Sequence, residues 1–234
     1  MPVSNVVVVV PWRPKPSRLD AFDRVVTWYL RHLPDVELRT IDTDDEVFNV
    51  ARCRNRAVGA WADDDVVVLN DADTLPERDP LLRAIEGAAV VRAVHLPYTE
   101  YRWFGAVGSA QHAAGVPVDD CDFDLVRGAC SGVTVTTPDA WFAHGGQDER
   151  FRGWGFEDAA WNLAHQTMLG RPPVRTDGRV YALHHVPEER HGTQYEANAR
   201  LMARYEAAAG DRAAMAQLIA EAPTARNALA GPGS

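Results

Sequence analysis

Five β-branched apolar residues in a row, Val6-Val7-Val8-Val9-Val10, open the chain and are closed by Pro11. A run with no polar alternation predicts a strand buried on both faces, as in a parallel α/β sheet. From Leu19 to Leu33 the apolar positions Leu19, Phe22, Val25, Val26, Tyr29, Leu30 and Leu33 recur at helical spacing, and Pro34 stops the pattern. Val36 to Ile41 alternates as a second strand. Asn49 to Ala62 reads as a helix, and Val66-Val67-Val68-Leu69 as another buried strand closing at Asn70-Asp71. Strand, helix, strand, helix, strand is the order of a nucleotide-binding α/β half.

Beyond that point the pattern predicts a short helix over Leu81 to Gly87 and a strand over Ala89 to Leu96. Pro97 to Val126 has no clear period. Gly132 to Thr137 alternates as a strand, and Asp139 to Ala143 is a short helix. A loop with Gly145, Gly146, Gly153 and Gly155 leads to a helix from Glu157 to Met168. Val180 to Leu183 is a last short strand, followed by helices over Tyr195 to Ala208 and Ala213 to Ala220. Ala222 to Ser234, rich in small residues, Pro and Gly, is expected to be disordered.

Composition narrows the function. The chain of 234 residues, 46% hydrophobic, is sized for one core and a tail. A net charge of −9 argues against broad, charge-driven binding to nucleic acid or anionic membrane. Cys53, Cys121 and Cys130 form no CxxC pair, which fits a reduced, cytoplasmic protein rather than a zinc site or a disulfide framework. The longest apolar stretch is far too short to span a membrane.

The Asp-x-Asp spacing occurs at Asp71/Asp73, and also at Asp42/Asp44, Asp63/Asp65, Asp120/Asp122 and Asp122/Asp124. Only Asp71-Ala72-Asp73 directly follows a buried strand, and ligands of open α/β sheets bind at the carboxyl ends of strands. Two carboxylates two residues apart in extended chain converge on one side. Such oxygen ligands suit Mg²⁺ or Mn²⁺, which also bind diphosphate oxygens.

The segments Val9-Val10-Pro11-Trp12-Arg13, Phe48-Asn49 through Asn55, Asp71-Ala72-Asp73 and Gly153-Trp154-Gly155-Phe156-Glu157-Asp158 together resemble the β-1,4-galactosyltransferase group. More loosely they resemble the polypeptide N-acetylgalactosaminyltransferases. The likeness runs discontinuously from Val6 to His185 and is most specific over residues 128–161. It implies the GT-A fold, an α/β class with a nucleotide-binding mixed, mostly parallel sheet flanked by helices. Residues 1–192 would form that domain, with the helices of 193–221 packing on it and 222–234 as a tail.

The resemblance also implies roles. Pro11 and Arg13 would flank the nucleotide, although an Arg in a Pro-rich loop is as readily a surface residue. Phe48, Asn49 and Asn55 would pack beside base and ribose. Val50 stands where the galactosyltransferases carry a nucleotide-contacting Arg, a place Arg52 or Arg54 could fill. Asp71 and Asp73 would hold Mn²⁺ or Mg²⁺ against the diphosphate, with Gly132 beside the donor. The third ligand would be a His after the last strand, His184 in preference to His185, since neighbours on a strand point to opposite faces. Asp158 would be the base and Glu157 a ligand of the acceptor hydroxyl. Trp154 and Gly155 would belong to a mobile acceptor lid, although Phe156 departs from the second Gly of the family's loop. Tyr101 and Trp103 would form either an acceptor platform or core.

The implied activity is transfer of a hexose, with inversion, from a nucleotide sugar of the UDP type to an acceptor hydroxyl of unknown class. Two other readings compete: a sugar-phosphate nucleotidyltransferase and an inactive protein that binds sugar nucleotide or glycan. The first lacks the Gly-rich phosphate loop expected after the first strand.

Overall fold

A computed structural model describes residues 5–186 and 190–222. The expected tail at 222–234 lies outside the described residues except for Ala222. Strand β1 (Val6–Pro11) pairs in parallel with β2 (Glu37–Ile41) on one side and β3 (Val66–Asn70) on the other. The sheet continues through β8 (Val133–Thr136) and β5 (His95–Leu96), both joined by antiparallel pairings, to β9 (Val174–Arg175), giving the order β2-β1-β3-β8-β5-β9.

The unbroken valine run is explained by two cores. Val8 and Val10 pack with Val66, Val68, Val25, Tyr29 and Leu81 on the face covered by helices α1 (Leu19–His32) and α3 (Arg78–Val91). Val7 and Val9 pack with Val67, Leu69, Val58, Trp141 and Trp161 on the other. That face is covered by α2 (Val50–Gly59), α5 (Pro138–Phe142) and α6 (Glu157–Leu169).

The region between Leu81 and Val126 corrects the sequence pattern. The short helix over Leu81 to Gly87 is the middle of α3, and the strand over Ala89 to Leu96 shrinks to His95–Leu96. Leu81, Ala84, Ile85 and Ala88 are buried at helical spacing, so the helix continues through Ala89, while Val90 and Val91 are 83% and 56% exposed. β-Branched content there reflects no buried strand. The aperiodic segment holds β6 (Glu100–Trp103), α4 (Gly105–Ala113) and β7 (Asp124–Leu125).

β6 and β7 belong to a second sheet, ordered β4-β10-β6-β7, with β4 over Thr74–Pro76 and β10 over Arg179–Ala182. This small sheet positions the site, because β4 begins directly after Asp73 and β10 ends beside it. Helices α7 (Thr193–Ala208) and α8 (Arg212–Ala220) pack on α6 through Met202, Tyr205, Met215 and Leu218. Among the described residues no helix is long and apolar enough to cross a membrane.

Candidate active site

The chain leaves β3 through Asn70, whose fully buried amide donates to the carbonyls of Asp71 (2.7 Å) and Thr74 (2.9 Å) and accepts from the Tyr29 hydroxyl at 2.7 Å. This shapes the Asp71-Ala72-Asp73 turn. The Asp71 N–H donates to the Gly132 carbonyl at 2.7 Å, and the Gly132 N–H donates to Asp71 Oδ2 at 3.1 Å. Gly132 has φ of 88°, and a Cβ there would stand 2.9 Å from the Tyr101 ring. A glycine is therefore required for the strand end to cradle the carboxylate.

Asp73 meets β10. The Leu183 N–H donates to the Asp73 carbonyl at 2.7 Å, and two residues on, His185 Nε2 lies 2.9 Å from Asp73 Oδ2. The His184 ring lies 6.4 Å, centroid to centroid, from that of Trp103, and its backbone N–H donates to Ser109 Oγ. It is His185, and not the preferred His184, that lies against Asp73. Neighbouring histidines do diverge, but the register set at Leu183 gives His185 the parity that reaches Asp73. Among the described residues no three His, Cys, Asp or Glu side chains are gathered as a preformed metal centre.

Helix α2 supplies the cation. Asn49 caps it, accepting from the Arg52 N–H, and one turn in, Arg54 is buried against the site. Its Nη2 donates to Asp71 Oδ1 and its Nη1 to Asp158 Oδ1, each at 2.6 Å. Burial opposes the guanidinium's charge, but attraction by Asp158, Asp71 and Glu157 outweighs it and holds Arg54 protonated. The Asp71 carboxyl is pushed up by burial and by Asp158 and Asp73, with Arg54 opposing.

Other residues expected around the nucleotide make contacts within the protein. Asn49 and Asn55 are fully buried. Asn49 Nδ2 donates to the Glu149 carbonyl, while Asn55 donates to the Gln147 carbonyl and accepts from Trp141 Nε1 and the Gln147 N–H. With those amide groups engaged inside the protein, neither side chain is open to a ligand. Arg13 is clamped by Asp42 and by the Thr43 and Glu46 carbonyls, and lies over the Phe48 ring at 5.3 Å. Pro11 is buried at the end of β1 opposite Ile41.

Glu157 and Asp158 begin α6, where carboxylates favour the positive end of the helix. Asp158 Oδ1 also accepts from Gln147 Nε2 at 3.0 Å, a contact for which the sequence carried no signal. Burial, then repulsion by Asp158, pushes the Glu157 carboxyl up to about 8. Phe156 keeps the left-handed backbone of a glycine, with φ of 76°. At the loop expected to form the acceptor lid, Trp154 stacks with Tyr195 at 6.2 Å and carries the Arg190 guanidinium over its ring at 4.4 Å.

The aromatics of β5 to β6 divide. Tyr98 and Phe104 are core, Tyr101 lies half-buried against Gly132, and Trp103 is 40% exposed near His184.

The chain as a whole is similar to solved glycosyltransferase structures. The chain has the GT-A fold. A Drosophila β-1,4-galactosyltransferase 7 in complex with manganese, UDP-Gal and xylobiose superposes with a TM-score of 0.52 at 16% identity, over 84% of this chain and 79% of that one. The same enzyme's catalytic domain with xylobiose gives 0.52 over 84% and 80%. GalNAc-T7 with UDP, GalNAc and Mn²⁺ gives 0.57 at 8% identity, over 93% of this chain and 54% of that one. No known family profile and no curated protein sequence matches the chain. Within this GT-A fold, the turn after β3 and the start of α6 form one site, joined by Arg54.

Proposed function

We propose that the chain is a metal-dependent glycosyltransferase that moves a hexose from a UDP-type nucleotide sugar to an acceptor hydroxyl with inversion. The observation that carries this reading is the Arg54 bridge, which joins the Asp71-Ala72-Asp73 turn to Asp158 at the start of α6. The complexes of structural neighbours with manganese and UDP-Gal, and with UDP, GalNAc and Mn²⁺, support it.

The donor set fits a divalent cation. Asp71, Asp73 and Asp158 outnumber Arg54, so the site has carboxylate charge to spare. The 2.9 Å between Asp73 Oδ2 and His185 Nε2 is close to the edge, about 3.0 Å, of an octahedron with bonds of about 2.1 Å. Asp71 keeps free lone pairs on both oxygens beside the bonds from Arg54 and Gly132. Asp73, His185 and Asp71 would hold the ion, which would neutralise charge on the departing nucleotide diphosphate.

The remaining chemistry belongs to the chain. Asp158 takes the proton of the acceptor hydroxyl as that oxygen bonds to the anomeric carbon and the bond to the diphosphate breaks. Arg54 and Gln147 orient the carboxylate for this step. Glu157, protonated at neutral pH, donates a hydrogen bond to an acceptor oxygen. The test is release of UDP from a panel of UDP-hexoses by the purified protein. Turnover should require Mn²⁺ or Mg²⁺, and undiminished turnover in EDTA would overturn the metal-dependent reading.

A further inference from the structure

The loop that delivers Glu157 and Asp158 is strained. Gly153, Gly155 and Phe156 have φ of 68°, 102° and 76°, and for a bulky residue such as Phe156 this region is a true outlier. Such a conformation persists only where its surroundings over-determine it.

The surroundings come from α7, roughly forty positions further along the chain. Asn198, 1% exposed, donates through Nδ2 to the Arg152 carbonyl at 2.8 Å and faces the Trp154 and Gly155 carbonyls at 3.3 and 3.4 Å. Its Oδ1 accepts from the Arg152 N–H at 3.3 Å and from Gln194 Nε2 at 3.0 Å. One buried amide therefore ties three carbonyls and one N–H of the loop. One turn earlier on the same helix, the Tyr195 ring packs on Trp154 and, at 5.2 Å, on Phe156. From the other side the Gly153 N–H donates to the Phe48 carbonyl at 2.9 Å.

We propose that α7 is a fixed brace for the acid-base pair: Asn198 and Tyr195 hold the Gly153–Phe156 turn in its left-handed form and so pre-position Glu157 and Asp158. Both are positioning residues and touch no reacting atom. The catalytic half of this inference rests on the glycosyltransferase reading, whereas the mechanical half does not.

Amide hydrogen exchange on the full chain, paired with steady-state kinetics on UDP-hexoses, tests both halves. Asn198→Asp keeps the shape of the side chain and removes its donors. It should speed exchange over residues 152–157 by about tenfold or more, as loss of buried hydrogen bonds lowers a local opening energy. Exchange in β1 and β3 should not change. Tyr195→Ala should act in the same direction, and Tyr195→Phe, which retains the ring, should not. In the kinetics kcat should fall while the donor KM stays within about twofold, since the loss is confined to the reacting geometry.

If Asn198→Asp unfolds α7, the half-buried Tyr195 decides, because its replacement leaves the Met202 and Tyr205 core intact. Unchanged exchange over 152–157 in both variants overturns the brace. A loosened loop with unchanged kcat overturns its catalytic role. A loosened loop in a protein whose wild type turns over no UDP-hexose leaves the brace standing and removes the enzymatic reading instead.

Discussion

Arg54 Nη1 donates to Asp158 Oδ1 at 2.6 Å across 104 residues of chain. The same guanidinium reaches Asp71, so a single cation on α2 fastens the turn after β3 to the start of α6. Only 7% of the Arg54 side chain is exposed, so the two carboxylates depend on it for compensation.

Arg54→Met should therefore lower stability by about 3–5 kcal/mol, the usual effect of removing one partner from a buried ion pair. Adding Asp158→Asn should recover part of the loss, because one uncompensated charge goes with it. Urea denaturation measures both, and an unchanged midpoint for the single variant would show that the carboxylates tolerate each other without the bridge.

Thermal shift with UDP and Mn²⁺ separates the two histidines. Asp73→Ala and His185→Ala should abolish the metal-dependent rise in Tm. His184→Ala should keep it, because that ring packs toward Trp103. Loss of the rise in His184→Ala alone would restore the assignment expected from the sequence.

Asp158→Asn should lower kcat by about 10²–10⁴, the range for loss of a general base. The variant should still bind UDP with Mn²⁺, which calorimetry can check. Equal loss of binding and turnover would mean that Asp158 holds the donor rather than moves the proton.

Glu157 makes a pH prediction of definite sign. Its carboxyl rises from 4.5 to about 8 on folding, so the folded state holds a proton that the unfolded chain has released. Stability from this group is complete below about 4.5 and falls as pH rises toward about 8. Glu157→Gln imitates the protonated form, and its advantage over the wild type in urea denaturation should grow across that window. A constant difference between the two proteins would contradict the raised value.

Local pattern was enough for β1, α1, β3 and α6, because periodicity records which face of an element is buried. It also set Asp71 and Asp73 apart among five equivalent spacings as the pair that follows a buried strand, and the structure has them at the end of β3. It misread Ala89 to Val91, where β-branched residues sit on the exposed face of a helix. Gln147 and Asn198 carried no signal, being single polar residues whose partners lie on other elements.

The chain's own order of residues decided the α/β class, the acidic turn and the acidic start of α6, all consequences of neighbours along the backbone. Only the tertiary structure decided that His185 meets Asp73, that Asn49 and Asn55 face inward, and that Arg54 serves two carboxylates. Those facts follow from register and packing between segments up to 104 residues apart, and the period of a single strand or helix does not contain them.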